Sequence, residues 1–240
     1  MKYHQIDRNL FIKNRKKFAG QMAPQSLAVF NSNDIYPVSA DSTLPFAQHR
    51  DIFYLSGVDQ EESILVIFPD AFEEKHREVL FLRETNEHIA IWEGEKLTKE
   101  RAFEVSGVKT VYWLSDFPTI FRKMMVEAEN VYINNNEHYR ASVETETRED
   151  RFIKKLKNDF PGHQYVRSNP ILQRLRSVKE PQEIALIQQA CDITEKGFRR
   201  ILGFVKPGVW EYEIEAEIAH EFLRNRPKGF AYTPIIASGN

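Results

Sequence analysis

Ser63-Ile-Leu-Val-Ile-Phe68, stopped by Pro69-Asp70, and Val79-Leu-Phe-Leu82 are short, unbroken apolar runs between charged or turn-forming residues. Apolar residues at every position, rather than every second one, fit strands covered on both faces. Asp51-Ile-Phe-Tyr-Leu55, bounded by Gly57, reads as a third strand of the same kind, and Ser26-Leu-Ala-Val-Phe30, followed by Asn31-Ser-Asn-Asp34, as a fourth. Further along, strands are expected at Val108–Tyr112 and Val131–Ile133, alternating with helices around Lys99–Val105 and Phe117–Ala128. That alternation predicts an α/β layer structure with a mixed sheet. Upstream, Leu10, Phe11, Phe18 and Met22 predict a helix over Asp7–Met22, while Tyr36–Arg50, with Pro37 and Pro45 and no periodicity, reads as a loop.

A charged helix is expected from about Ala141 to Phe160, ended by Pro161-Gly162. Ser168-Asn-Pro170 is the next break, and the domain boundary is placed there, giving an N-terminal domain over residues 1–170 and a second beginning at 171. Glu180-Pro181 opens a helix with proline in the first turn, where its missing N–H costs nothing. Its apolar face is Ile184, Ile187, Cys191, Thr194 and Phe198, which reads Cys191 as a small core residue. After Pro207-Gly208 a second helix runs from Glu211 to Arg224 with Ile214, Ile218 and Phe222 on one side. Gly229 to Asn240 reads as the approach to a buried strand and a tight turn, the entrance to a domain whose sheet would cover both helices. Left uncovered, those faces predict association or proteolytic softness after about Arg174.

The formal charge of −2 and pI near 6.4 give no electrostatic case for nucleic acid or an anionic membrane. No apolar run approaches the roughly 18 residues needed to span a bilayer, and the polar start has no signal-peptide core, so a cytoplasmic protein is expected. A lone cysteine excludes an internal disulfide framework and cysteine-based metal clusters. His220-Glu221 opens the zinc-protease pattern, but position 224 is Arg224 where the second histidine would stand. No phosphate-binding glycine loop and no nucleophile elbow is present, so the residues alone contain no catalytic constellation. Two features admit a functional reading. His49-Arg50-Asp51 crowds charge at what reads as a strand start, with a structural ion pair favoured over ligand binding. Trp92 beside a turn is either core packing or a contact for a peptide or another subunit.

Several segments, in order, resemble Xaa-Pro aminopeptidase (aminopeptidase P) of the creatinase, prolidase and methionine-aminopeptidase superfamily. They are Gln48-His-Arg-Asp-Ile-Phe-Tyr-Leu-Ser-Gly57, Phe81-Leu-Arg83, Ile91-Trp-Glu-Gly-Glu-Lys-Leu97, Leu175-Arg-Ser-Val-Lys-Glu-Pro-Gln-Glu-Ile184, Lys206-Pro-Gly208 with Glu211–Glu217, and Ala231-Tyr232 to Gly239-Asn240. The resemblance implies an N-terminal creatinase-like domain with a mixed sheet flanked by helices, followed by the opening helices and strand of a pita-bread α+β catalytic domain. It implies a parent hydrolase that removes the residue before proline using water activated by two metal ions, commonly Mn2+. The ligands, two aspartates, a histidine and two glutamates, are expected after Asn240, so this chain alone is expected to bind no metal and to be inactive. Tyr232 matches a family tyrosine beside the metals. Trp92 matches a tryptophan that reaches a neighbouring subunit's active site, so a homo-oligomer is expected, with peptides carrying proline second as substrates. Glu180 stands where the family usually has serine, and Ile91 where it has an acidic residue. A non-catalytic peptide-binding or oligomerisation module of the same fold, or a creatinase-like hydrolase, stays open as an alternative.

Overall fold

The computed structural model describes residues 3–86, 91, 94–141 and 143–238. Its contacts divide into two compact units: Ile6–Val178, and Lys179–Asn240 with the described part of Met1–Gln5.

The first unit is built on a six-stranded sheet. Helix α1 (Arg8–Ala19) leads into β1 (Ser26–Asn31), a small hairpin of β2 (Pro37–Ser39) and β3 (Ser42–Thr43), helix α2 (Arg50–Ser56), β4 (Ile64–Ile67) and β5 (Glu78–Leu82). Helix α3 (Lys99–Ser106), β6 (Thr110–Trp113), α4 (Phe117–Glu127), β7 (Asn130–Ile133), α5 (Arg148–Asp159), β8 (Gln164–Arg167) and α6 (Asn169–Ser177) complete it. The strand order is β6-β5-β4-β1-β7-β8. β4 runs antiparallel to both β1 and β5, and the β5–β6, β1–β7 and β7–β8 pairs are parallel. This is the mixed sheet expected from the alternation of runs and helices.

Continuous apolar strands follow from burial on both faces. Ala28, Phe30, Leu65 and Leu80 join Phe18, Ile52 and Leu172 in one cluster, while Leu27, Val29, Val66 and Phe81 join Phe121, Met124 and Leu156 in another. Successive residues of one strand thus feed opposite layers, as the alternation of side chains along a strand requires.

Asp51–Leu55 is a helix, α2, and the expectation of a strand is corrected. His49 accepts the Asp51 backbone N–H, and Gly57 closes the helix at φ +70° with its N–H on the Phe53 carbonyl. Ile52 and Leu55 face the sheet, while Phe53 meets Phe11 edge-on at 6.1 Å, so an apolar residue at every position here means a helix packed on both sides. The helix expected from Ala141 begins only at Arg148, because Thr147 and Asp150 cap each other's backbone N–H groups. The Tyr36–Arg50 loop contains the β2–β3 hairpin, and β8 and α6 were not foreseen. Helix α6 starts within Ser168-Asn-Pro170, with Ser168 at its N-cap, and buries Ile171 and Leu172 in the first unit.

In the second unit, helices α7 (Pro181–Phe204) and α8 (Glu211–Arg224) pack together. Gly197 makes their close approach possible, since a Cβ there would lie 3.1 Å from Phe222 and 3.2 Å from Ile218. Ile214, Ile218 and Phe222 are half-buried, whereas Ile184, Ile187, Phe198 and Leu202 are exposed. Cys191 is exposed as well, against the expectation of a core position. Among the described residues after Arg224 there is no strand.

Candidate functional site

In an open α/β sheet, ligands bind beyond the carboxyl ends of parallel strands where the chain's order around the sheet reverses. Here that point lies between β1 and β7, because β4, β5 and β6 follow β1 on one side and β7 and β8 lie on the other. Polar residues stand at each strand end there: Asn31-Ser32 closing β1, Asn134 after β7 and Ser168 after β8, all buried.

These residues are tied to one another. Asn134 donates from Nδ2 to Asp51 Oδ2 at 3.2 Å and accepts the Ser168 hydroxyl at Oδ1 at 2.9 Å. Arg176 Nη1 donates to the other Asp51 oxygen at 2.6 Å. Glu149, in the first turn of α5, accepts the Asn31 backbone N–H at 2.9 Å and its Nδ2 at 3.0 Å. Burial pushes the Glu149 carboxyl up to about 8, with the nearby Asp51 adding to the rise and the Asn31 bonds and Arg148 opposing it. Next to β1, Gln48 donates from Nε2 to the carbonyls of Val58 at 3.1 Å and Gln60 at 2.9 Å.

His49 and Asp51, singled out from the sequence, therefore belong to a larger assembly whose polar groups satisfy each other. The reading as a structural ion pair gains a named partner in Arg176, at the far end of the unit's sequence. Those bonds tie α2, α5 and α6 to the strand ends, so the chemistry they show is cohesion. Asn134, Glu149, Ser168 and Arg176 were missed; the available signal, for the first and third, was asparagine or serine directly after β1, β7 and β8.

Tyr232 lies in an irregular segment and is 80% exposed. Trp92 lies outside the described residues, so the structure does not place it. Further along the chain, Leu97 N–H donates to Gln60 Oε1 at 2.7 Å and Lys96 pairs with Glu61. Among the described residues no three His, Cys, Asp or Glu side chains come together in a set that could hold a metal ion. The described residues therefore do not fit a metal site.

The family model described as "Aminopeptidase P, N-terminal domain" matches residues 11–132, just over half of the chain. The chain belongs to the aminopeptidase P N-terminal domain family. A second model, "Metallopeptidase family M24", matches residues 185–240. Xaa-Pro aminopeptidase of Escherichia coli is 28% identical over 98% of this chain and 53% of its own length. The Haemophilus influenzae enzyme of the same name is 28% identical over 96% of this chain and 51% of its own. Among solved structures, the low-pH form of E. coli aminopeptidase P superposes with a TM-score of 0.76 at 28% identity, covering 92% of this chain and 50% of that one. This member of the aminopeptidase P N-terminal family thus spans about half the length of the curated relatives it matches.

Proposed function

We propose that this chain is the N-terminal portion of a cytoplasmic, metal-dependent Xaa-Pro aminopeptidase, a hydrolase that removes the residue preceding proline. The observation that carries the reading is the order of two family matches along one chain, the N-terminal domain model at 11–132 and the metallopeptidase model at 185–240. In this reading residues 1–170 form the creatinase-like domain and residues from 171 onward open the pita-bread catalytic domain, with α6, which packs within the first unit, running across that boundary. A divalent metal pair, with manganese as the metal, supplies the activated water when bound. Its ligands belong to sequence beyond the 240 residues, and Tyr232 lies beside the site. Trp92 lines the substrate cleft of a neighbouring subunit in a homo-oligomer. The exposed Ile184, Ile187, Phe198 and Leu202 support burial of this face in a larger assembly.

The test is to express the complete coding region and measure release of the first residue from peptides with proline second, after chelation and after adding back manganese, zinc or magnesium. Metal-dependent release, greatest with manganese, is expected, together with no release by the 240-residue chain. Trp92→Ala and Tyr232→Phe in the longer protein are each expected to lower turnover by about 10-fold or more. A full-length product that cleaves no such peptide under any metal would overturn the proposal.

A further inference from the structure

The ring of His49 receives its hydrogen bonds at a single atom. Nδ1 accepts the Asp51 backbone N–H at 3.3 Å, which caps α2, and Asn134 Nδ2 lies 3.5 Å from the same nitrogen. The Asn134 amide is oriented from behind, because its Oδ1 accepts the Ser168 hydroxyl, so its nitrogen faces His49 and Asp51. A ring nitrogen that accepts from N–H groups carries no proton, and the imidazole is the neutral Nε2–H tautomer. The Asp51 carboxylate stands 3.8 Å from Nδ1, held on its other oxygen by Arg176.

The charged groups facing the ring are Asp51 and Arg50 from α2 and Arg176 from α6, with Glu149 of α5 near Asp51. The segment after β7 contributes the uncharged Asn134. Burial holds the imidazole below its ordinary pKa; Asp51 opposes this, and Arg176 and Arg50 reinforce it.

We propose that His49 is an acid-operated latch: a proton taken from solvent at Nδ1 abolishes the cap on α2 and turns the ring to Asp51. The imidazolium then competes with Arg176 for that carboxylate, and the last turn of α6, from which the chain leaves the first unit, slackens. Because the folded pKa lies below the unfolded one, the folded chain binds fewer protons between the two values. Its stability is therefore complete above the ordinary imidazole range and declines as pH falls through it.

The experiment compares the chain with His49→Asn, which caps a helix without titrating in this range. The drop in Tm from about pH 7.5 to about pH 5.5 should be about 2–4 °C smaller in the variant. Amide exchange in the last turn of α6, corrected for its intrinsic pH dependence, should quicken in acid only with histidine present. Equal drops in Tm, or equal exchange in the two proteins, overturn the proposal. If the variant does not fold, ring nitrogen shifts of His49 in the unmodified chain decide: an Nε2–H tautomer at neutral pH with a midpoint below 6.5 supports the latch, and an Nδ1–H tautomer overturns it.

Discussion

Arg15 is buried completely and its Nε lies 2.9 Å from Glu78 Oε2, a pairing that joins α1 to the start of β5. The same guanidinium donates from Nη1 to the carbonyl of Leu55 at 2.8 Å and of Ser106 at 2.9 Å, so it caps the last turns of α2 and α3 together. Each helix ends in Ser-Gly-Val, and each serine bonds the carbonyl four residues back and the N–H of the valine. Removing a buried ion's partner leaves unsatisfied groups in a medium that cannot solvate them. Arg15→Met is therefore expected to destabilise the chain by about 3–5 kcal/mol, and Glu78→Gln by about 1–2 kcal/mol, both read by urea unfolding. Equal losses from the two would show that the helix ends contribute nothing.

Gly57 and Gly107 answer differently to the same substitution. At Gly57, φ is +70° and a Cβ would meet the buried Phe11 ring at 2.2 Å. At Gly107, φ is +73° and the obstacle is the end of the Ile12 side chain, Cδ1 at 2.5 Å and Cγ1 at 2.6 Å, on a residue that is 37% exposed and so has solvent on one side to move into. Gly57→Ala should cost roughly 3 kcal/mol, combining left-handed strain with overpacking. Gly107→Ala should cost roughly 1–2 kcal/mol, chiefly the strain. Thermal unfolding of the two variants checks the order.

Glu149 gives a pH dependence of opposite sign to that of His49. Its folded pKa of about 8 lies above its ordinary value of 4.5, so between those values the folded chain binds more protons than the unfolded one. Stability from this group is present at the acid end of that window and is lost as pH rises through it, by roughly 4–5 kcal/mol as an upper bound. Glu149→Gln should remove this slope, so variant and parent diverge most at about pH 8 in denaturant titrations. A parent curve that keeps its shape in the variant would refute the assignment.

Asp51 and Arg176 should behave as a linked pair. A double-mutant cycle with Asp51→Asn and Arg176→Ala is expected to return an interaction of about 1 kcal/mol, because the Arg176 side chain is 42% exposed and partly screened. Asn134→Ala, at a buried position, should cost about 1–3 kcal/mol by leaving the Ser168 hydroxyl and one Asp51 oxygen unpaired. A coupling of zero would place Arg176 outside the network.

The α/β architecture was legible because strands such as Ile64–Ile67 are unbroken apolar runs between turn-forming or charged residues, and helices such as α4 are long enough for their period to show. Asp51–Leu55 misled because five residues with apolar groups on both sides look alike as strand or helix; the deciding parts were the flanking His49 and Gly57, which are cap chemistry. β8, Gln164-Tyr-Val-Arg167, was hidden because its ends are polar and exposed at the sheet edge. The crevice network was hidden for another reason. Its members come from α2, β1, α5 and α6, and no local pattern brings Asp51 to Arg176. The sequence motifs nonetheless reached the family, since they follow chain order and the family match does too.

The central position of β1 carries a consequence for synthesis. One edge of the strand is covered early, when β4 folds back on it, but its other edge waits for β7, where Ser26 pairs with Asn130. Until the ribosome has released α3, β6 and α4 as well, the row of N–H and C=O groups along Leu27 and Ala28 has no neighbour on that side, and the nascent chain carries an open seam of unpaired backbone between apolar side chains. Parallel pairing across so long a loop closes slowly, which makes this seam the place where a chaperone, or a second unfinished chain, would meet the protein first.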